Sequence, residues 1–370
     1  MQKTCCRWGI LGTAEIARKN WLAIRNATNC TLTAVASRTI ERSRAFINDC
    51  QQHAPFDVPP RACGSYEELL ASDDVDAVYL PLPTGIRKTW AIRAAEAGKH
   101  VLAEKPAGVM AHDVREILAA CRQNGVQFMD GVMFMHSRRM DRIREVLDDG
   151  RTIGQLRRIT SQFADGEAGS EQFAGNIRAN SELEPHGCLG DLGWYCIRFT
   201  LWAMNWELPA RVAGHILQEY RHPASPAAIP TDFSAELFFA NGVSAGFYCS
   251  FVTQLQQWAN LAGTNGAINV PDFVLPRHGD EVAFETSNPT FAIQGCDFIL
   301  EDHTRRLAVR ERSNSGENAQ ETNLFRRFGE LAISGQPDPS WGEMALKTQQ
   351  VLDACLKSAR SGGRVTDLAD

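Results

Sequence analysis

Short apolar runs alternate with helix-period stretches over the first third of the chain. Trp8 to Leu11 is a compact apolar run, and Ile16, Ala17, Trp21 and Ile24 then recur at the spacing of one helix face. Leu32 to Ala36 returns as a buried-looking, β-branched strand, which completes a βαβ unit. The same rhythm predicts strands at Ala77 to Leu80, His100 to Ala103 and Gln127 to Met129, with helices over Ile86 to Ala97 and Val114 to Asn124. Gly98 and Asn124-Gly125 stand where those helices should stop. Strands that alternate with helices call for a doubly wound parallel sheet, so the first domain is expected over 1–135.

Beyond about Met140 the texture changes to strands joined by turns. Asn241-Gly242 separates Phe233 to Phe239 from Val243 to Phe251, and Asn265-Gly266 separates the run around Leu261 from Ile268 to Val270. Both dipeptides accept the positive φ that hairpin turns need. A second domain over 136–370 is therefore expected to be α+β, with a large, mainly antiparallel, open-faced sheet. One helix should start near Asp191 and a last one should run from about Trp341 to Ser361, packing back on the first domain. Glu311 to Glu321, rich in Ser, Asn, Glu and Gly, reads as an exposed loop. A length of 370 residues suits this two-domain division.

Composition changes the picture only by exclusion. With 44% hydrophobic and 22% charged residues the chain can bury ordinary cores, and its net charge of −6 disfavours nucleic acid and anionic membranes as partners. No apolar run approaches the ~18 residues of a membrane span, and no signal-peptide pattern follows Met1. The 11 cysteines are scattered, with no Cys-x-x-Cys spacing for zinc. A metal-free cytoplasmic protein with a small-molecule partner is expected.

Chemistry enters where the first strand ends. Gly12, Thr13, Ala14, Glu15 and Ile16 occupy the turn where a dinucleotide-binding Rossmann fold carries G-x-G-x-x-G, with Ala14 and Ala17 in place of two glycines. Such a turn sets a pyrophosphate on the free N–H groups of a helix start. About 25 residues further on, an NAD enzyme places an acidic residue on the ribose. Here Ser37 and Arg38 follow the second strand, with Arg42 a turn later, a set that suits a 2′-phosphate. The expected cofactor is NADP, with NAD the alternative.

Three segments then resemble one family. Ala97-Gly98-Lys99-His100-Val101-Leu102-Ala103-Glu104-Lys105-Pro106 is similar to the A-G-K-H-V-x-x-E-K-P signature of the glucose-fructose oxidoreductase, inositol dehydrogenase and rhizopine-catabolism (Gfo/Idh/MocA) family. Gly187-Cys188-Leu189-Gly190-Asp191-Leu192-Gly193-Trp194-Tyr195 resembles its G-G-x-L-x-D-x-G-x-Y segment, and Val78 to Thr84 resembles the loop after its fourth strand. The N-terminal turn and the Gly193-Trp194-Tyr195 variant are similar to the branch with dihydrodiol and pentose or hexose dehydrogenases. The resemblance implies cofactor contacts at Leu80, Pro81, Pro83, Thr84, Glu104 and Lys105, and catalytic roles for Lys105, Asp191 and Tyr195.

Those roles make chemical sense. Oxidising a secondary alcohol by hydride loss requires a base for the hydroxyl proton. Tyr195 can serve if a cation lowers its pKa from about 10, and Lys105 is the candidate cation. Asp191 stands four residues before Tyr195, on the same helix face, where it can bind a hydroxyl, position Lys105 or simply cap the helix. The Lys105-Pro106 bond is expected to be cis. Lys105 and Tyr195 are expected to converge on one bound dinucleotide.

Substrate contacts are expected at Lys105, His136, Arg178, Asp191 and Tyr195, a structural ion pair being the equal alternative for Arg178, with an apolar pocket of Met133, Phe134 and Trp194. Glycines 187, 190 and 193 would clear space for the nicotinamide face, and His186 is a rival proton shuttle whose neighbour Pro185 suggests a surface turn. Two departures from the family pattern, Arg87 and the Glu184-Pro185-His186 approach, should touch substrate. The leading expectation is an NADP-dependent oxidoreductase acting on a sugar, polyol or diol. A tight-cofactor glucose-fructose-type oxidoreductase, a redox-assisted glycosidase and a non-enzymatic NADP-binding regulator stay open. A homodimer or homotetramer through the C-terminal sheet is expected.

Overall fold

The computed structural model describes residues 4–169 and 173–368. The chain divides into two compact units: one takes the residues up to His136 with Asn180–Pro185 and Asn314–Gln350, the other Ser137–Ala179, His186–Ser313 and the chain from Val351 on.

In the first unit strands and helices alternate: β1 (Cys6–Leu11), α1 (Glu15–Asn26), β2 (Cys30–Ala36), α2 (Ile40–His53), β3 (Arg61–Cys63), α3 (Tyr66–Leu70), β4 (Ala77–Leu80), α4 (Thr84–Glu96), β5 (His100–Ala103), α5 (Ala111–Gln123) and β6 (Phe128–Asp130). All six strands are parallel, in the order β3-β2-β1-β4-β5-β6. Right-handed crossovers in that order put helices on both faces. The strands are consequently buried on both sides, which is why β4 reads as an unbroken apolar run. The order reverses between β1 and β4, and ligands of such sheets bind beyond the strand C-termini at that point.

The second unit opens with α6 (Arg138–Asp148) and β7 (Leu156–Ala164), and α7 (Trp194–Ala203) follows. Seven strands come next: β8 (Arg211–Tyr220), β9 (Ile229–Phe238), β10 (Ser244–Ser250), β11 (Gln256–Gly263), β12 (Ala267–Val270), β13 (Glu281–Ser287) and β14 (Thr290–Gln294). β15 (Asp297–Glu301) and β16 (Thr304–Arg310) end the run; α8 (Gln320–Ser334) and the start of α9 (Ser340–Arg360) then belong to the first unit, and the end of α9 with β17 (Thr366–Asp367) to the second. Nine strands form one sheet, β16-β13-β12-β11-β7-β10-β9-β8-β17, antiparallel except for β7 beside β10. Buried and half-buried residues alternate along β9, and every residue of α7 is buried. One face of the sheet is therefore core. The other is open, with a depression of about 350 Å³ whose lining includes Arg158, Glu236, Tyr248 and Trp258.

Both hairpins fall where Asn241-Gly242 and Asn265-Gly266 place them, and the helix Ser340–Arg360 lies within a residue of its expected span. Two differences matter. Helix α6 and helix α8 were not expected, and Glu311 to Glu321 is not an exposed loop: Glu311, Ser315, Gln320 and Glu321 are buried. The reason is tertiary. The Glu311 carboxylate accepts the Arg138 amide, the Ser315 hydroxyl donates to the Lys19 carbonyl, and Lys19 Nζ lies 2.6 Å from Glu321. In the first unit α8 then sets Phe325 and Phe328 against Trp8, with ring centroids 4.9 and 5.0 Å apart. Among the described residues no helix is long and apolar enough to cross a membrane.

Candidate active site

In the first unit the expected cofactor residues gather at the C-terminal edge of the parallel sheet. β1 runs into Gly12, whose φ of +116° only glycine adopts without strain and whose amide donates to the Ala36 carbonyl. Thr13 and Ala14 lead into α1, where Ala14 is the N-cap and offers no side-chain hydrogen bond. The Ala17 amide donates to the Ala14 carbonyl, and the Glu15 and Ile16 amides are left for an anion. Glu15 is turned toward Arg18, 3.2 Å away, and Ile16 is exposed at the helix start.

β2 ends at Ala36. Ser37 is buried, Arg38 is exposed, and Thr39 caps α2 by accepting the Arg42 amide. Neither Arg38 nor Arg42 forms an ion pair among the described residues. Both act on Tyr66, whose phenol is pushed up by burial and held back by the two guanidinium groups. Tyr66 packs edge-on against Trp90, with centroids 4.7 Å apart. This ring was not anticipated: it lies on a five-residue helix without an apolar period, and only the fold brings it beside the two arginines.

Lys105 follows β5, and the Lys105-Pro106 bond is cis. Its neighbourhood is held by buried polar groups. The Asn20 amide donates to the Tyr79 oxygen at 2.6 Å, and the Tyr79 hydroxyl donates to Glu104 at 2.5 Å. Burial and the Glu104 carboxylate both push the Tyr79 phenol up, so it stays a donor. The other Glu104 oxygen accepts the Lys105 amide. On the far side, Arg87 is 2% exposed and donates to the carbonyls of Leu82 and Pro106 and, at 3.1 Å, to Thr84 Oγ1. Glu184 accepts both the amide and the hydroxyl of Thr84, at 3.0 and 2.6 Å. Arg87 was expected to meet substrate. It instead ties the loop after β4 (Leu80, Pro81, Pro83, Thr84) to the turn that carries Lys105, and Glu184 caps α4 from a distant part of the chain.

Asp191, Tyr195 and Arg178 belong to the other unit and are described there by themselves. Asp191 sits inside a π-helical turn, Leu189–Gly193, that runs into α7 and Tyr195. Cys188 begins that turn, so Asp191 is not a helix cap. Its carboxylate pairs with Arg178 Nε at 2.6 Å, and Arg178 also holds Glu167 at 2.8 Å. These partners, Asp191 first, push the guanidinium pKa up. Arg178 thus serves Asp191 rather than standing open to substrate. Asp165 lies beside this cluster, and burial pushes it up to about 6. Tyr195 is 7% exposed and rests on Phe163, centroids 5.7 Å apart.

Other expectations change. Phe134 and Trp194 are fully buried, so they pack cores and do not line an open pocket. His136 stacks on Trp341 at 4.7 Å, a contact within the first unit. His186 is 5% exposed and no surface residue. At Gly187 (φ +49°) a Cβ would fall 2.1 Å from the Pro230 carbonyl oxygen, so this glycine is required by packing of the chain on itself. A set of three possible metal ligands, His112, Asp113 and Glu116, has Lys88 Nζ 2.7 Å from both carboxylates, and that ammonium already satisfies them.

Comparison with known proteins agrees with this architecture. Residues 6–132 match the model of an oxidoreductase family with an NAD-binding Rossmann fold, and residues 140–269 match the GFO/IDH/MocA C-terminal domain. An uncharacterized oxidoreductase, ORF334, of Rhizobium meliloti is 30% identical over 96% of this chain and 97% of its own. A trans-1,2-dihydrobenzene-1,2-diol dehydrogenase of Bos taurus is 30% identical over 72% of this chain and 74% of its own. The fold matches that of KijD10, a 3-ketoreductase from Actinomadura kijaniata solved with NADP and TDP-benzene, with a TM-score of 0.77 at 24% identity over 96% and 98% of the two chains. The chain belongs to the GFO/IDH/MocA oxidoreductase family and is an NAD(P)-dependent oxidoreductase.

Proposed function

We propose that this protein uses NADP to interconvert a secondary alcohol and a carbonyl on a sugar, polyol or diol. Relatives named as a dihydrodiol dehydrogenase and as an NADP-dependent D-xylose 1-dehydrogenase support the substrate class. The observation that carries the cofactor choice is the pair Arg38 and Arg42: exposed, without carboxylate partners among the described residues, and placed where an NAD site has an acid. The amides after Gly12 would hold the pyrophosphate, and Leu80 to Thr84 with Glu104 would line the remainder. When bound, the nicotinamide accepts or gives the hydride.

In this reading Tyr195 takes the hydroxyl proton in oxidation and returns it in reduction. Lys105 is the cation that lets a phenol do so near neutral pH, because an adjacent positive charge favours phenolate. The Glu104 and Arg87 networks fix the turn from which Lys105 projects. Asp191, paired with Arg178, orients a second hydroxyl of the substrate, which favours a polyhydroxylated compound. We also propose that the second unit self-associates through its open sheet face, to a homodimer or homotetramer.

The test is cofactor discrimination. Arg38→Ala should weaken NADP binding by roughly 10–100-fold, the size of a lost charge-assisted phosphate contact, and leave NAD almost unchanged. Calorimetric titration reads both, and equal losses for the two cofactors would remove the phosphate assignment. A panel of sugars, polyols and aromatic diols, followed by nicotinamide absorbance, then identifies the substrate.

A further inference from the structure

Strands β13 and β16 pair inside the large sheet, but between them the chain runs on as a separate ribbon. β14 and β15 pair only with each other, over five rungs from Thr290 opposite Glu301 to Gln294 opposite Asp297. Opposed residues of an antiparallel ribbon share a face, and successive rungs alternate faces. Phe291 with Leu300 and Ile293 with Phe298 therefore form one face. All four are exposed, at 61%, 72%, 60% and 72% respectively, and the two phenyl rings stack with centroids 5.9 Å apart.

Such a ribbon is poorly supported alone, because a two-stranded hairpin in water is marginal unless a third element covers its apolar side. Four large side chains at this exposure leave on the order of 500 Å² of apolar surface in water, near the upper end for a monomer. Charge narrows the choice of cover. Residues 288–303 include Asp297, Glu301 and Asp302 and no Lys or Arg, which disfavours nucleic acid and anionic lipid.

The pattern on the face is the third observation. Phenylalanines occupy one diagonal and Ile293 and Leu300 the other, so a half-turn about the face normal leaves the pattern nearly unchanged. If an identical ribbon is laid on it about a two-fold axis in the contact plane parallel to the strands, every aromatic ring meets an aliphatic side chain. We propose that this ribbon is a docking arm that packs face to face on the same ribbon of a second copy of the chain. Two such faces bury on the order of 1,000 Å² together, the lower threshold of area for a biological interface. The contact is isologous, as a two-fold dimer requires. It is separate from the open sheet face and owes nothing to the catalytic reading.

Sedimentation equilibrium of the full-length chain tests it. The unaltered protein should be an oligomer at ~10 µM, and Phe291→Ser combined with Phe298→Ser should halve the number of subunits, raising the dissociation constant of that step by roughly 100-fold or more. Both residues are exposed, and an unchanged near-UV circular dichroism spectrum would verify the fold. Hydrogen exchange on the unaltered chain supplies a reading that needs no variant: amides of 290–301 should be protected in the oligomer and lose protection when dilution dissociates it. An unchanged mass in the variant, free exchange of the ribbon at every concentration, or a monomer at ~100 µM, with or without phosphatidylcholine vesicles, would overturn the proposal.

Discussion

Tyr195→Phe should leave NADP binding within about threefold of the unaltered protein and cut turnover by roughly 10²–10⁴, the usual contribution of a positioned acid or base. The substitution removes one oxygen and keeps the ring that rests on Phe163, so the π-turn and α7 retain their packing. Loss confined to kcat, with KM little changed, is the signature of a group used in the transition state. Steady-state kinetics with the substrate found in the panel would decide it. An unchanged rate would take Tyr195 out of the mechanism.

Phe328→Ala should reduce the free energy of unfolding by about 3–5 kcal/mol, the range for truncating a large buried aromatic side chain. Phe328 is fully buried and packs on Trp8 of the first strand, so its loss opens a cavity under the sheet edge that carries the Gly12 turn. Helix α8 is thus part of the dinucleotide-binding unit although nearly 200 residues of chain separate it from β6. Urea denaturation followed by tryptophan fluorescence measures the effect, and a loss below about 1 kcal/mol would mean the helix is peripheral.

The parallel sheet was legible because its strands are short, apolar on both faces and punctuated by helices with clear stops; β4 and β5 fall on their expected residues. The two Asn-Gly turns were legible for a local reason as well, since each sets hairpin register by backbone conformation. What escaped was long-range. Glu311 to Glu321 has the composition of a loop, and only Arg138 and Lys19, far off in the chain, give its polar groups buried partners. Helix α8 does carry a helical apolar period in Leu324, Phe325, Phe328 and Leu331, a signal masked by its polar first turn. Arg87 and Glu184 drew notice as departures from the family pattern, but their work depends on partners that no sequence spacing reveals: the Leu82 and Pro106 carbonyls for the brace, the Thr84 amide and hydroxyl for the cap. The same holds for Arg178: the sequence left a ligand oxygen and a structural ion pair equally open, and the fold supplies Asp191 and Glu167.

The measurement that bears most directly on the catalytic account is a double-mutant cycle between Lys105→Met and Tyr195→Phe, read in turnover with NADP binding as the control. If the ammonium acts by stabilising the phenolate, removing both groups should cost little more than removing either, a departure from additivity of at least about 2 kcal/mol. Losses that simply add would show the amine and the phenol working apart, and the proposed proton relay would be wrong.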